Sequence, residues 1–326
     1  MWREAYVIRL GVAVKILGRG GMRVRDGRRG EGLEGARPHL SISLLLLRDV
    51  LHYLAERAIR FYRLPDDLAP HPGRAGAAPE RQIAECAELL DEVGGLARRS
   101  GTRLTMHLGM HVALAAADEA IAARAAAEIA TQAALLDALG AGPEGTLVLH
   151  IGGAHGDRAA ALERFAGRLE RLPHRARERL AVELDGGSFP LADLLRLHQV
   201  TGVPLVLDTL HLQLNNPEQV PLAEALGLAL ATWPPWIQPK IHASTQRTEA
   251  HLQPARSGAP HQIIAPRHGQ HADYINPFEF AELLAAARGL PPFDVMLEAK
   301  AADLALLRLR EDLRRFAPEL ADRVEH

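Results

Sequence analysis

The sequence predicts an α/β protein folded as a single (β/α)8 TIM barrel that takes in residues 1–326. Three observations carry that expectation. Eight short apolar runs read as buried parallel strands, because a strand covered on both faces shows a continuous Val/Ile/Leu run rather than alternation. Most of the intervals between them hold Ala/Leu/Arg-rich segments with helical apolar spacing. Six of the eight runs close on a histidine or a carboxylate, and barrel chemistry sits at the C-terminal ends of the strands.

The runs follow in order. YVIRLGVAV at 6–14 is the first, and IRFYRL at 59–64 is the second and leads toward His71 between two prolines. RLTMH ends in His107, TLVLH in His150 with two glycines after it, and LAVEL carries Glu183. VPLVLDTLH at 203–211 breaks off into Asp208 and, one short turn later, His211. In PKIHAS, Lys240 and His242 flank Ile241, so both point to one side of the strand. FDVMLEA brings Glu298 and closes the barrel. Satisfied core histidines and buried ion pairs explain one or two such strand ends, but not the set, because buried polar groups must be paired or bound to metal.

Between the strands, a helix is expected from a cap at Ser41, a long one over Glu80–Arg99, an alanine-rich one over 118–139 and an Arg/Glu-rich one over 158–179. Cys86 falls inside the second of these helices. The segment at about 18–36 is glycine-rich and basic and is expected to be a mobile loop whose arginines meet phosphates. Residues 246–272 read as a long polar loop, a length that marks function in a compact domain, and end at His271 and Asp273.

Composition narrows the function class. Apolar residues make up 48% and charged residues 24%, ample for a sizeable core. A formal net charge of −2 excludes nucleic-acid binding by global basic excess, so any DNA contact must rest on a local strip, with Arg19, Arg23, Arg25, Arg28, Arg63, Arg247 and Arg267 as candidates. The single cysteine excludes an internal disulfide and suits a reducing compartment. No run approaches the ~20 apolar residues that span a bilayer. A cytoplasmic monomer with no membrane partner is expected.

Histidines mixed with carboxylates and no thiolates suit zinc, manganese or iron, with manganese favoured as the oxygen share rises. His71, His107, His150, Glu183, Asp208, His211, His242, His271 and Glu298 are too many ligands for one ion, and about two or three clustered ions suit phosphate-ester hydrolysis. The same ligands would also serve a metal-dependent small-molecule isomerase or hydrolase that polarises a carbonyl, since fold alone does not fix function.

The order RLG, RFYRL with a following PH, MHLG, LHIGG, a strand-end Glu, D-x-x-H, PKIHAS, HADYI and FDVMLEAK-x-x-DLALLRLR resembles the UV damage endonucleases, barrels related to endonuclease IV, from about residue 9 to 313. The resemblance implies cleavage of double-stranded DNA on the 5′ side of a lesion by up to three divalent ions, commonly manganese, with zinc or magnesium as alternatives. It carries the nine ligands over as metal-site residues, with Glu183 and Lys240 as catalytic residues and Lys240 as the metal-proximal lysine that can be carboxylated. The family's lesion-probing positions differ here. An RLGY with a nearby Asn is replaced by Val12 and Ile16, and a PGQ-plus-aromatic segment by Leu108, Met110 and His111. Altered or relaxed lesion choice follows, because apolar side chains there cannot hydrogen-bond to a base.

Overall fold

A computed structural model describes residues 7–20, 22, 39–72, 78–154, 156–253 and 261–325. The strands of its main sheet are β1 (Leu10–Ala13), β2 (Phe61–Leu64), β3 (Arg103–His107), β4 (Leu147–Leu149), β5 (Leu180–Glu183), β6 (Leu205–Val206), β7 (Lys240–Ala243) and β10 (Asp294–Leu297). A separate antiparallel ribbon, β8 (His251–Gln253) and β9 (Gln262–Ile264), lies within the polar loop expected at 246–272. The eight main strands pair in parallel, in the order β6-β5-β4-β3-β2-β1-β10-β7. The seam between β6 and β7 is joined by the His242 N–H, which donates to the Leu207 carbonyl at 2.8 Å, and by a parallel bridge of Asp208 to His242. The expected TIM barrel is therefore present, nearly closed, with helices between the strands.

The helices are α1 (Leu40–Glu56), α2 (Pro79–Glu85), α3 (Ala87–Arg99), α4 (Glu119–Ala138), α5 (Arg158–Arg171), α6 (His174–Arg179), α7 (Leu191–Thr201), α8 (Thr209–Leu214), α9 (Leu222–Ala231), α10 (Pro277–Ala286), α11 (Ala302–Phe316) and α12 (Pro318–Ala321). Local chemistry moves several expected boundaries. The cap of α1 is His39, whose Nδ1 accepts from the Ser41 N–H, so Ser41 lies inside the helix. The long helix over 80–99 is two helices that meet at Cys86, and the one over 158–179 breaks before Pro173, whose ring cannot continue a helix. Asp118 caps α4 as its place in the sequence suggests, accepting from Ala120 and Ile121. Most of the basic segment at about 18–36 lies outside the described residues, as do Arg23, Arg25 and Arg28. Among the described residues no helix is long and apolar enough to cross a membrane.

Side chains fill the barrel lumen in layers, as this fold requires. At the N-terminal end Asp294 is fully buried between Arg9, whose Nε donates at 3.0 Å, and Arg103, whose Nη1 donates at 2.7 Å. Above them Phe61 and Met296 occupy the axis beside Gly11. A Cβ there would meet the Phe61 ring at 2.6 Å and Met296 at 2.7 Å, so only glycine fits. This floor leaves the C-terminal mouth to the polar residues.

Candidate metal centre

The strand ends deliver the expected ligands to one mouth. Glu183 closes β5 and is 2% exposed, and both of its oxygens are engaged. Its Oε2 lies 2.5 Å from His107 Nε2 at the end of β3 and 3.7 Å from His150 Nε2 just past β4. Its Oε1 accepts from His242 Nδ1 at 2.8 Å and lies 3.7 Å from His211 Nδ1. Glu298, one residue past β10, accepts from Arg63 and stands 3.4 Å from His242 and 3.6 Å from His271. Five imidazoles follow one another around the mouth. Their centroids are 5.8 Å apart from His242 to His107, 5.0 Å to His150, 6.2 Å to His211 and 6.0 Å to His271.

Short-range chemistry explains why D-x-x-H works as a pair. Asp208 caps α8, and its Oδ1 accepts from the N–H groups of Leu210 and His211. The cap starts the helix, and one turn of helix sets His211 beside the mouth. The His211 Nδ1–H donates to the Leu184 carbonyl at 2.9 Å, which fixes the tautomer and turns Nε2 outward as a ligand atom.

Among the described residues two tight groups of donor atoms result, His107 with His150 and Glu183, and Glu183 with Asp208, His242 and Glu298. Within each group one donor atom per residue lies within 4.8 Å of the others. Glu183 belongs to both groups. Among the described residues the buried Nε2 of His242 and Nδ1 of His150 have no hydrogen-bond partner. Orphaned imidazole nitrogens beside crowded carboxylates are costly without a cation and fit one well.

Electrostatics point the same way. Burial pushes the Glu183 and Glu298 carboxyls up, but His242 and His107 around Glu183, and Arg63 and His242 beside Glu298, outweigh it and hold both low. Burial moves Asp208 up to about 7, against the pull of His211. Burial also drives His242 down to about 4 and lowers His150 and His271, so these imidazoles are neutral ligands near pH 7. Lys240 is fully buried with its Nζ 5.8 Å over the Phe61 ring and, among the described residues, without a hydrogen-bond partner. Burial first, then the positive charges of Arg103 and Arg63, depress its pKa far below the usual lysine range.

Not every expected residue joins these groups. His71 stands beside His111, with ring centroids 5.3 Å apart, outside both tight groups. Its Nδ1 is held at 2.8 Å by Glu128 from α4. Glu128 is 5% exposed and is fixed in turn by Gln132 Nε2 at 2.7 Å, a support that sequence reasoning missed. The available signal was the i,i+4 pair Glu128 and Gln132 in an otherwise apolar stretch of helix. Arg63 and Arg247, expected on a DNA-facing strip, are internal: Arg63 pairs with Glu298, and Arg247 with Asp273 at 2.9 Å. Val12 and Ile16, expected among the base-probing positions, are 1% and 5% exposed: Val12 lies in β1 between β10 and β2, and Ile16 packs into the core from the segment after that strand. Met110 is 65% exposed, and His111 is exposed.

A parallel barrel with a histidine and carboxylate cluster at its C-terminal mouth, of a kind that could hold metal ions, defines a class of TIM barrels. Within it, the model of the family described as UV-endonuclease UvdE matches residues 39–323, and the chain belongs to that family. It is 29% identical over 270 residues to the UV DNA damage endonuclease of Bacillus velezensis, covering 81% of this chain and 78% of the relative. The Bacillus pumilus UV DNA damage endonuclease is 26% identical over 284 residues, covering 87% and 84%. Among solved structures, SacUVDE superposes with a TM-score of 0.77 at 25% identity over 94% of this chain and 98% of its own. Endonuclease IV from Thermus thermophilus shares the fold, with a TM-score of 0.55 at 17% identity over 94% and 99%.

Proposed function

We propose that this chain is a metal-dependent UV damage endonuclease, working as one barrel domain, that hydrolyses the backbone of double-stranded DNA on the 5′ side of a lesion with relaxed lesion choice. The observation that carries the reading is Glu183, a buried carboxylate shared by two groups of metal-type ligands in a chain of this family. His107, His150, Glu183, Asp208, His211, His242, His271 and Glu298 would hold about two or three divalent ions, manganese first by the balance of nitrogen and oxygen donors, with His71 completing the set from the rim. Bound there, such ions supply a hydroxide nucleophile at neutral pH and charge stabilisation for the attacked phosphate.

The protein's own groups do the rest. Glu183 and Glu298 remain ionised and keep the mouth anionic where cations must sit. Leu184 and Glu128 orient His211 and His71, so each presents Nε2. Lys240 enters as a neutral amine. In that state it is a nucleophile toward carbon dioxide, forming an N–C bond and releasing one proton to give a carbamate, whose negative charge the neighbouring Arg63 and Arg103 favour.

Relaxed lesion choice follows from where the probing positions lie. Val12 is in the wall and Ile16 is buried just beyond it, which leaves Met110 and His111 as the exposed pair. Each hydrogen bond to a damaged base that is lost costs about 1–3 kcal/mol, or roughly ten- to a hundredfold in discrimination. The test is nicking, with manganese supplied, of an end-labelled duplex carrying one photoproduct against its undamaged twin. The expected product is cut 5′ to the lesion, with a preference well under about a thousandfold. No cleavage of either duplex would contradict the nuclease reading, and a preference above that level would contradict the relaxed specificity.

A further inference from the structure

We infer that the ribbon formed by β8 and β9 is a DNA wedge whose Leu252 and Ile263 enter the base stack beside the cleavage site. The inference rests on the nuclease reading and adds to it the element that opens the duplex.

The two side chains are cross-strand partners, so they lie on one face of the ribbon, and they are 60% and 78% exposed. Two adjacent large aliphatic groups held in water are unfavourable, and a two-stranded ribbon alone is marginal in stability. The stem, however, is stapled to the metal centre. Gln246 bridges His271 across the ribbon's root. Its Nε2 donates to the Arg267 carbonyl at 2.9 Å, and its Oε1 accepts from the Gly269 N–H at 2.7 Å. The Arg247 N–H donates to the Gln270 carbonyl at 2.7 Å, and its guanidinium grips Asp273. From that bridge the chain runs six residues out to Leu252 and eight back from Ile263. The apolar pair therefore stands within about 20 Å of His271, the reach of a short strand from the site.

The occupant follows from this position. A projection rooted in a nuclease's metal mouth and carrying an exposed aliphatic pair on one face matches the apolar residues that architectural proteins insert between base steps to unstack and kink a duplex. Arg267 at the foot of the returning strand is exposed and supplies a cation for the flanking phosphates. A wedge of this kind reads how easily a step unstacks rather than which base is damaged. That suits a chain in which two of the probing positions, Val12 and Ile16, are buried.

The experiment uses the manganese-loaded chain and its Leu252→Ser/Ile263→Ser variant on a duplex with 2-aminopurine beside a photoproduct, blocked at the scissile position by a methylphosphonate. Both residues are exposed, so melting temperature and metal content should be unchanged, which separates the wedge from a folding defect. We expect a rise in 2-aminopurine fluorescence on binding of the unmodified chain that the variant largely loses. On the cleavable duplex the variant's kcat/KM should fall by about tenfold or more, and most of that loss should vanish on a bulged duplex that is already unstacked. Equal fluorescence and equal nicking by the two proteins would overturn the wedge while leaving the nuclease reading intact. So would loss of self-association in the variant with unchanged nicking, which would assign the apolar pair to a second copy of this chain. Failure of the unmodified chain to bind or nick any duplex would overturn both.

Discussion

Replacing Glu128 by Gln isolates the contribution of a carboxylate that would touch no metal. Glu128 is buried on α4, and its Oε1 accepts two hydrogen bonds, from His71 Nδ1 at 2.8 Å and from Gln132 Nε2 at 2.7 Å. Glutamine keeps the volume and one acceptor oxygen but removes the negative charge opposite the imidazole N–H. In the metal-free protein a charge-assisted hydrogen bond becomes a neutral one, a loss of about 1 kcal/mol. In the metal-bound protein the weaker ligand adds to that, and loss of such an outer support typically lowers metal affinity about 10- to 100-fold. At about 1.4 kcal/mol per tenfold this is roughly 1.4–2.8 kcal/mol at the ion that His71 serves. Manganese titration of the chelator-stripped protein should show one weakened site out of the set, with a melting temperature in chelator only slightly lower. His71→Ala and the double variant should weaken that same site without adding, because the two residues act as a unit. The reasoning fails if Glu128→Gln binds manganese like the unmodified chain while His71→Ala does not.

Three further outcomes are expected. Lys240→Ala should cut nicking at least about tenfold, and protein supplied with 13C-bicarbonate should show a carbamate signal that the variant lacks; a fully active alanine variant without such a signal in the parent would refute the neutral-lysine role. Manganese affinity should rise steeply between about pH 5 and pH 7 and then level, with proton release on binding, because Asp208 titrates near 7 and must ionise to bind. With its folded pKa raised above the ordinary value, Asp208 stabilises the metal-free fold most below about pH 4 and loses that contribution as pH rises through 7; a metal affinity flat from pH 5.5 to 7.5, on the order of a twofold change, would contradict this. Gly11→Ala should destabilise the fold by about 1–3 kcal/mol in a chelator-stripped melt, since its Cβ would sit 2.6 Å from Phe61 and 2.7 Å from Met296. An unchanged melting temperature would show that the lumen can relax.

What the sequence made legible was whatever depends on one strand at a time. Lys240 and His242 share a face because strand period is two, Asp208 and His211 meet because a cap starts a helix turn, and Glu183 and Glu298 sit where apolar runs stop. What stayed hidden depends on partners distant in the chain. Glu128 finds His71 across 57 residues, and Arg63 finds Glu298 across 235. For Arg63 no local pattern distinguishes the buried charge from a solvated one, and for Glu128 the local signal is its i,i+4 spacing to Gln132. The burial of Val12 was hidden for a related reason, since it comes from β2 and β10, which lie far from it in sequence. The ribbon was concealed because its strands are three residues each, shorter than any pattern that periodicity resolves.

The central claim is that a Glu183-centred cluster of metal ions cuts damaged DNA. It is tested most directly by measuring divalent ions per chain and nicking of a photoproduct duplex on the same preparations, for the unmodified chain and for Glu183→Gln, each produced with manganese. The account predicts about two or three ions and chelator-sensitive nicking for the unmodified chain, and under about one ion with no nicking for the folded variant. An unmodified chain that carries less than about one ion, or that nicks undiminished in excess chelator, would contradict it.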